Sequence, residues 1–205
     1  MNPFLSELLD TIGIDSQHLN TYLSAEELTY LDGNIRSSVD FQKDFYTESN
    51  GENLEVLLYF LDAHKKEIIF LMQDNSKIEV LINLYSSCII SSKYDCFRFD
   101  LSKFPQIYKP SNEVLTLYRI GRKGESVGNL GSSWSKNVCG LKAYCQASSM
   151  TKEKFNDRPV FAIEIKDSEV LFEGDRKEQE LVLKVGFKHR RIELVNDALR
   201  SKIYT

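Results

Sequence analysis

The sequence has no long hydrophobic run and no recognisable targeting signal. No apolar segment approaches the roughly 18 residues that a membrane-spanning helix requires. The first residues, Met1 to Phe4, have neither the basic region nor the apolar stretch of a secretory signal. We therefore expect a protein without a membrane partner, located in the cytoplasm of the producing cell or of a target cell.

Cysteine and histidine are scarce and scattered. None of the four cysteines has the C-x-x-C spacing of a zinc site, and none of the three histidines stands near a cysteine. The cysteines are Cys88, Cys96, Cys139 and Cys145, and the histidines are His18, His64 and His189. We expect no metal site and no disulfide scaffold, and thiols that are free and partly buried.

Charge is unevenly divided along the chain. Residues 1–110 contain 9 Lys and Arg against 17 Asp and Glu, whereas residues 111–205 contain 17 against 13, so the two halves have net charges of −8 and +4. A mildly basic half suits an anionic ligand such as a dinucleotide, but two halves packed together with complementary surfaces would show the same division. A charge of +4 is small for a nucleic-acid-binding surface, so we expect that partner less than a protein.

Residues 1–110 have the apolar spacing of helices. Two stripes recur at helical intervals, and Ser24 to Glu27 form an S-x-x-E capping box ahead of a third helix. Asn50 or Asn53 is placed to cap a long helix toward Met72, and Asn75 a following one. The stripes are Phe4, Leu5, Leu8, Leu9 and Ile12, and then Leu54, Leu57, Leu58 and Leu61. We find no catalytic motif in this helical region.

The pattern changes after Pro105 and Pro110, and we expect a domain boundary between residues 110 and 111. Short apolar or alternating runs then predict strands, and one helix over about residues 135–148 is expected, with Asn137 or Ser135 as its cap. The strand runs are 114–118, 159–165, 170–172, 180–185 and 191–195. The predicted class is α+β, with a helical region followed by mostly antiparallel strands.

Arg119 is the first candidate site residue. It stands between apolar neighbours of a predicted strand, just before the glycine-containing segment 121–131. A half-buried guanidinium keeps its charge and needs an anionic partner. A structural salt bridge and a ligand phosphate both meet that need.

Ser133 and Ser135 are the second candidate, with the only tryptophan of the chain, Trp134, between them. In an extended segment the two hydroxyls lie on one face, because side chains alternate with a period of two. A turn and helix cap would also use serine here, but such a cap has no use for a tryptophan.

Glu178 and Glu180 are the third candidate, at the entrance of a predicted strand. Two carboxylates on one face repel each other unless a cation or a chemical role relieves the repulsion. A solvated charged turn, with Arg176 and Lys177 alongside, is the alternative.

In this order the three segments resemble the arginine, Ser-Thr-Ser and glutamate motifs of the mono-ADP-ribosyltransferases, in particular the arginine-modifying members. Residues 133–144 are similar to the family's second motif and its following helix, and residues 178–183 to the third. Trp134 stands where threonine is commonest. The similarity covers about 95 residues from Val114 on, and phage-encoded members of comparable length also begin with a helical part.

The resemblance implies a fold, a co-substrate and roles for particular residues. The fold would be an ADP-ribosyltransferase-like split antiparallel β-sandwich over residues 111–205, with NAD as co-substrate. Glu180 would stabilise positive charge on the nicotinamide ribose, and Glu178 would orient or deprotonate the acceptor. The residues expected to bind NAD are Arg119, Ser133, Trp134, Ser135 and Tyr144.

The resemblance also implies an acceptor. A glutamate two positions before the catalytic one is similar to the members that modify a protein arginine, because a carboxylate can pair with a guanidinium. Phe172 and Arg176 would belong to the loop that contacts this substrate. The activity would be that of a toxin or effector.

Three other functions remain open from the sequence. The same site would hydrolyse NAD if water replaced the acceptor. A transferase-like fold without activity would act as a binding module, with the acidic helical region docking a partner. A nucleic-acid-modifying transferase would favour a more basic surface with stacking aromatic residues.

Overall fold

The computed structural model describes residues 1–46, 52–73, 78–87 and 97–204. The chain forms two compact units, Met1–Phe104 and Pro105–Thr205. The boundary expected between residues 110 and 111 thus falls inside the second unit. Asn50, Asn75, Cys88, Cys96 and the side chain of Asn53 lie outside the described residues.

The first unit is helical over its described part. A short 3-10 turn, Leu101–Lys103, comes near its end. None of the described helices is both long and apolar enough to cross a membrane. The helices are α1 (Pro3–Thr11), α2 (Ser16–Tyr22), α3 (Ala25–Asn34), α4 (Ser38–Gln42), α5 (Glu52–Ala63), α6 (Lys65–Met72) and α7 (Ile78–Tyr85).

Side-chain caps fix where these helices begin. The Asn2 side chain accepts the Leu5 backbone N–H at 2.9 Å, and Pro3 takes the first helical position of α1, where no N–H is needed. The predicted capping box of α3 is confirmed, since Ser24 and Glu27 each accept the other's backbone N–H.

The helical stripes predicted from the sequence form the core of this unit. Leu5, Leu8, Leu9 and Ile12 are fully buried. The second stripe is buried as well, in Leu54, Leu57, Leu58 and Leu61.

The second unit contains one six-stranded antiparallel sheet, in the spatial order β4-β5-β2-β1-β3-β6. The α+β class is therefore confirmed. The strands are β1 (Val114–Ile120), β2 (Ser133–Ser135), β3 (Val160–Lys166), β4 (Val170–Glu173), β5 (Glu180–Leu183) and β6 (His189–Leu194).

The sheet is narrowest at its centre. β1 and β3 pair over seven residues, but β1 and β2 pair only at Tyr118 and Ser135. Residues from both sides of this junction, including Leu117 on β1 and Trp134 on β2, share one buried cluster with Ile163 and Leu181. The two three-stranded parts thus share a core although a single residue pair joins them.

Three helices complete the second unit: α8 (Val138–Ala147), α9 (Lys152–Asn156) and α10 (Asp197–Tyr204). The predicted cap of α8 is confirmed, because the Asn137 side chain accepts the Gly140 backbone N–H at 3.1 Å. Leu141 and Cys145 are buried on one face of this helix.

The burial of the first stripe generates a stability prediction. Leu8→Ala removes a fully buried side chain from α1 and should lower the free energy of unfolding by about 2–5 kcal/mol, because a cavity remains. Denaturant unfolding followed by circular dichroism measures this loss. Glu7→Ala, at the exposed neighbouring position, should change it by less than about 0.5 kcal/mol. Equal losses in both variants would contradict the placement of α1.

Candidate active site

A narrow cleft with a cavity volume of about 40 Å³ in the second unit brings the three sequence motifs together. It lies at the narrow junction between β1 and β2, against the start of α8 and the turn before β5. The residues that line it are Tyr118, Arg119, Ile120, Ser133, Trp134, Ser135, Gly140, Leu141, Tyr144, Glu178 and Glu180.

Glu180, the first residue of β5, is the most buried carboxylate in the cleft, at 9% exposed. The Ser133 hydroxyl donates a short hydrogen bond to its Oε1. The backbone N–H of Asp175 donates to Oε2 at 2.9 Å. Burial raises the pKa of Glu180, and the two hydrogen bonds oppose this shift by favouring the ionised form.

Glu178 lies in the turn before β5. Its pKa is raised to about 7 by burial, and by the negative charges of Glu180 and Asp175. Gln179, between the two glutamates, has a φ of 50°. Glu178 therefore lies outside the strand, and a turn rather than strand alternation brings both carboxylates to the same cleft.

Asp175 organises this turn. Its Oδ1 accepts the backbone N–H of Glu178 at 2.9 Å, while its own N–H holds Glu180. One aspartate therefore fixes both glutamates through the backbone, and its charge disfavours ionisation of each.

Ser135 connects the strand, the helix and the turn. Its hydroxyl, which is buried, makes hydrogen bonds with the carbonyl oxygens of Asn137 at 2.9 Å and of Glu178 at 2.8 Å. Gly140 faces the same point, where an added Cβ would lie 2.0 Å from the Glu178 carbonyl oxygen. Only glycine lets α8 approach the turn this closely.

Gly174 has a similar role beside the catalytic candidate. A Cβ at this position would lie 2.0 Å from Oε2 of Glu180. The close approach of the backbone is what allows the Asp175 N–H to reach the buried carboxylate.

Arg119 is held by a residue that the sequence motifs do not include. Its Nε and Nη2 donate to the two carboxylate oxygens of Glu125 at 2.7 and 3.0 Å, and its Nη1 donates to the Ser133 carbonyl at 2.8 Å. Burial alone would raise the pKa of Glu125, but the Arg119 contact and the backbone N–H groups of Arg122 and Gly131 lower it. Arg119 therefore has the structural salt bridge that the sequence left as one of two alternatives.

The Trp134 side chain faces away from the serines. The indole is 1% exposed, packs in the core and donates its Nε1–H to the Gly131 carbonyl at 2.8 Å. The expectation of a ligand contact by this ring is corrected, because strand alternation sends it to the core while Ser133 and Ser135 face the cleft.

The two residues expected in the substrate-contacting loop, Phe172 and Arg176, lie in different environments. Phe172 lies on β4 and is fully buried, which corrects the expectation that its ring faces a substrate. Arg176 is exposed on the turn before β5, outside the lining of the cleft. Tyr144, on α8, lines the cleft as expected, and its hydroxyl accepts from Nη1 of Arg158 at 3.3 Å.

Neither a cluster of metal ligands among the described residues nor a known relative indicates the function of this site. Across the described residues, no group of three or more His, Cys, Asp or Glu side chains could hold a metal ion. Comparison with models of protein families, with curated proteins and with solved structures gives no match. The function has to be inferred from the chemistry of the cleft.

The raised pKa of Glu178 generates a prediction about stability. The folded protein binds this proton more tightly than the unfolded chain, so the free energy of unfolding falls as pH rises from about 4.5 to about 7. Glu178→Gln removes this proton and should be about 1–2 kcal/mol more stable than the wild type above pH 7, after allowance for solvent screening. Below pH 4.5 the difference should disappear.

Denaturant unfolding at a series of pH values measures this difference. A stability gap that stays constant across the range would show that the folded protein does not retain a proton on Glu178.

The Arg119–Glu125 pair generates a second stability prediction. Glu125→Gln leaves the Arg119 guanidinium buried without a counter-charge, and should lower the free energy of unfolding by about 3 kcal/mol. Glu193→Gln breaks the exposed pair with Arg191 and should cost less than about 1 kcal/mol. Similar losses in chemical denaturation would contradict the buried pair.

Proposed function

We propose that the second unit is a mono-ADP-ribosyltransferase, which moves ADP-ribose from NAD to an arginine of a target protein and releases nicotinamide. The observation that supports this most is the state of Glu180. Its carboxylate is buried in a cleft and hydrogen-bonded to Ser133, and no cation among the described residues forms a salt bridge with it. A substrate that develops positive charge would complement such a group.

The cleft fits the nicotinamide-ribose end of NAD in its chemistry. The carboxylate of Glu180 can accept a hydrogen bond from a ribose hydroxyl, and Ser133 holds that carboxylate in place. Leu141 and the Tyr144 ring supply the less polar part of the lining that a nicotinamide ring would contact.

Glu180 would act by electrostatic stabilisation. When the bond between the ribose and the nicotinamide nitrogen breaks, nicotinamide leaves with the electron pair and positive charge develops on the ribose. In the ground state the positive charge is on the nicotinamide ring, so a fixed carboxylate beside the ribose stabilises the state with positive charge on the ribose more than the ground state, which is the requirement for catalysis. Ser133 and the Asp175 N–H favour the ionised form that this role needs.

Glu178 would act on the acceptor. Its carboxylate can pair with an incoming guanidinium, and the guanidinium nitrogen then forms the new bond to the ribose carbon. The proton lost from that nitrogen passes to Glu178, whose pKa of about 7 suits a general base near neutral pH.

The sheet supports the finer assignment of the fold. Two three-stranded parts, β4-β5-β2 and β1-β3-β6, meet at one residue pair and share a core. This arrangement is consistent with the split β-sandwich of ADP-ribosyltransferases, with the cleft at the split.

NAD hydrolysis is the second candidate function. Water could take the place of the guanidinium as the acceptor, and the first bond-breaking step would be the same. The two reactions differ in whether ADP-ribose becomes attached to protein.

The separate roles of the two glutamates generate a prediction. With labelled NAD and a cell lysate, Glu180→Gln should lower both nicotinamide release and protein labelling by at least about a hundredfold. Glu178→Gln should lower labelling by about a hundredfold but keep most of the nicotinamide release, because only the acceptor step needs that carboxylate. Labelling by the wild type should rise with pH through about 7.

Glu173→Gln is the matched control, since this glutamate is exposed on neighbouring β4 and pairs with Lys136. It should retain full labelling. Nicotinamide release without any protein label in the wild type would favour the hydrolase, and absence of NAD turnover would exclude both enzymes.

A further inference from the structure

A second arginine, Arg158, does not line the cleft itself but contacts two residues that do. It is half-buried and donates from Nε to the Gly121 carbonyl at 2.5 Å and from Nη2 to the Ile120 carbonyl at 3.3 Å. Its Nη1 donates to the Tyr144 hydroxyl at 3.3 Å. Ile120 and Tyr144 both line the cleft, so the guanidinium adjoins it through two of its partners.

The partners of Arg158 are all uncharged. Within the described part of the chain, no carboxylate lies within salt-bridge distance of its guanidinium, and its hydrogen bonds go to two carbonyls and one hydroxyl. A half-buried guanidinium cannot lose its proton, so its positive charge persists without a counter-ion.

Arg119 differs in this respect. Both arginines use three of their five N–H groups on protein partners, which leaves two on each. The charge of Arg119, however, is matched by the Glu125 carboxylate in a bidentate pair. A phosphate at Arg119 would have to approach that carboxylate, whereas one at Arg158 would meet an unmatched charge.

We propose that Arg158 and the Tyr144 hydroxyl bind the diphosphate of the dinucleotide, and that Arg119 instead positions Ser133. The identity of the ligand rests on the proposed function, whereas the preference of the subsite for an anion rests on the contacts of Arg158. This assigns the phosphate role to a residue outside the sequence motifs.

The contacts of Tyr144 support a phosphate ligand. Its oxygen accepts from Arg158, so its own hydroxyl hydrogen remains to donate into the cleft. A guanidinium and a hydroxyl side by side present several donors and one positive charge, which suits a phosphate. The carbonyls of Ile120 and Gly121 hold the guanidinium in place before a ligand arrives.

The role of Arg119 follows from its third hydrogen bond. Nη1 holds the carbonyl of Ser133, and the hydroxyl of the same serine holds Glu180. The Glu125 carboxylate, the Arg119 guanidinium and Ser133 thus form one chain of contacts that ends at the catalytic candidate.

Isothermal titration calorimetry with ADP tests the subsite without any turnover of NAD. Arg158→Gln should weaken ADP binding by about ten- to a hundredfold and reduce its dependence on salt, because one charge–phosphate contact is lost. Arg158→Lys, which keeps the charge, should recover most of the affinity.

Arg200→Gln is the matched control. Arg200 donates to the carbonyls of Arg158 and Phe155, and neither of these partners lines the cleft, whereas two partners of Arg158 do. The Arg200→Gln variant loses the same charge and the same kind of hydrogen bonds, but away from the cleft. Its ADP affinity should therefore stay within about twofold of the wild type. Thermal melts of all variants report any general loss of structure.

Three outcomes would overturn the proposal: no ADP binding by the wild type, unchanged affinity in Arg158→Gln, or an equal loss in Arg200→Gln. The proposed function is tested separately by nicotinamide release. Turnover of NAD with unchanged ADP affinity in Arg158→Gln would reject the subsite and keep the enzyme. Loss of ADP affinity in that variant, in a protein that does not turn over NAD, would keep the subsite and reject the enzyme.

Discussion

The Glu180 carboxylate is buried and has no salt-bridge partner among the described residues, and the rest of the site depends on this constraint. A buried carboxylate must be compensated by hydrogen bonds, and Ser133 and the Asp175 N–H provide them. Both need a particular backbone: Ser133 needs β2 to pair with β5, and Asp175 needs the close approach that Gly174 permits. The pairing of β2 with β5 and the geometry of the turn before β5 together form the cleft around the Glu180 carboxylate.

Arg119 and Arg158 have different electrostatic roles in the site. Arg119 is neutralised by Glu125 and holds the backbone of Ser133, whereas Arg158 keeps an unmatched charge beside two residues that line the cleft. A net negative charge at Glu180 and a net positive charge at Arg158 would orient a ligand that has a diphosphate at one end and a developing cation at the other. The mildly basic character of residues 111–205 is thus less informative than the position of a single arginine.

Much of this arrangement could be predicted from the sequence, because local signals determine it. The helical stripes, the capping box at Ser24, the Asn137 cap and the five predicted strand runs all appear as expected. The contacts of Glu125, Asp175 and Arg158 could not be predicted from the sequence, since each depends on how a loop folds back on a distant strand or helix. Strand alternation does not describe Glu178, because the positive φ of Gln179 places it in a turn. The assignment of Phe172 to a loop was wrong, because β4 extends through this residue.

The most direct test of the central claim is a crystal structure of the Glu180→Gln variant with NAD, in which binding is retained and turnover is suppressed. We expect the nicotinamide ribose in the cleft, within hydrogen-bond distance of the side chain at position 180 and with the diphosphate against Arg158. A dinucleotide bound elsewhere on the chain, or an empty cleft at saturating NAD, would contradict it.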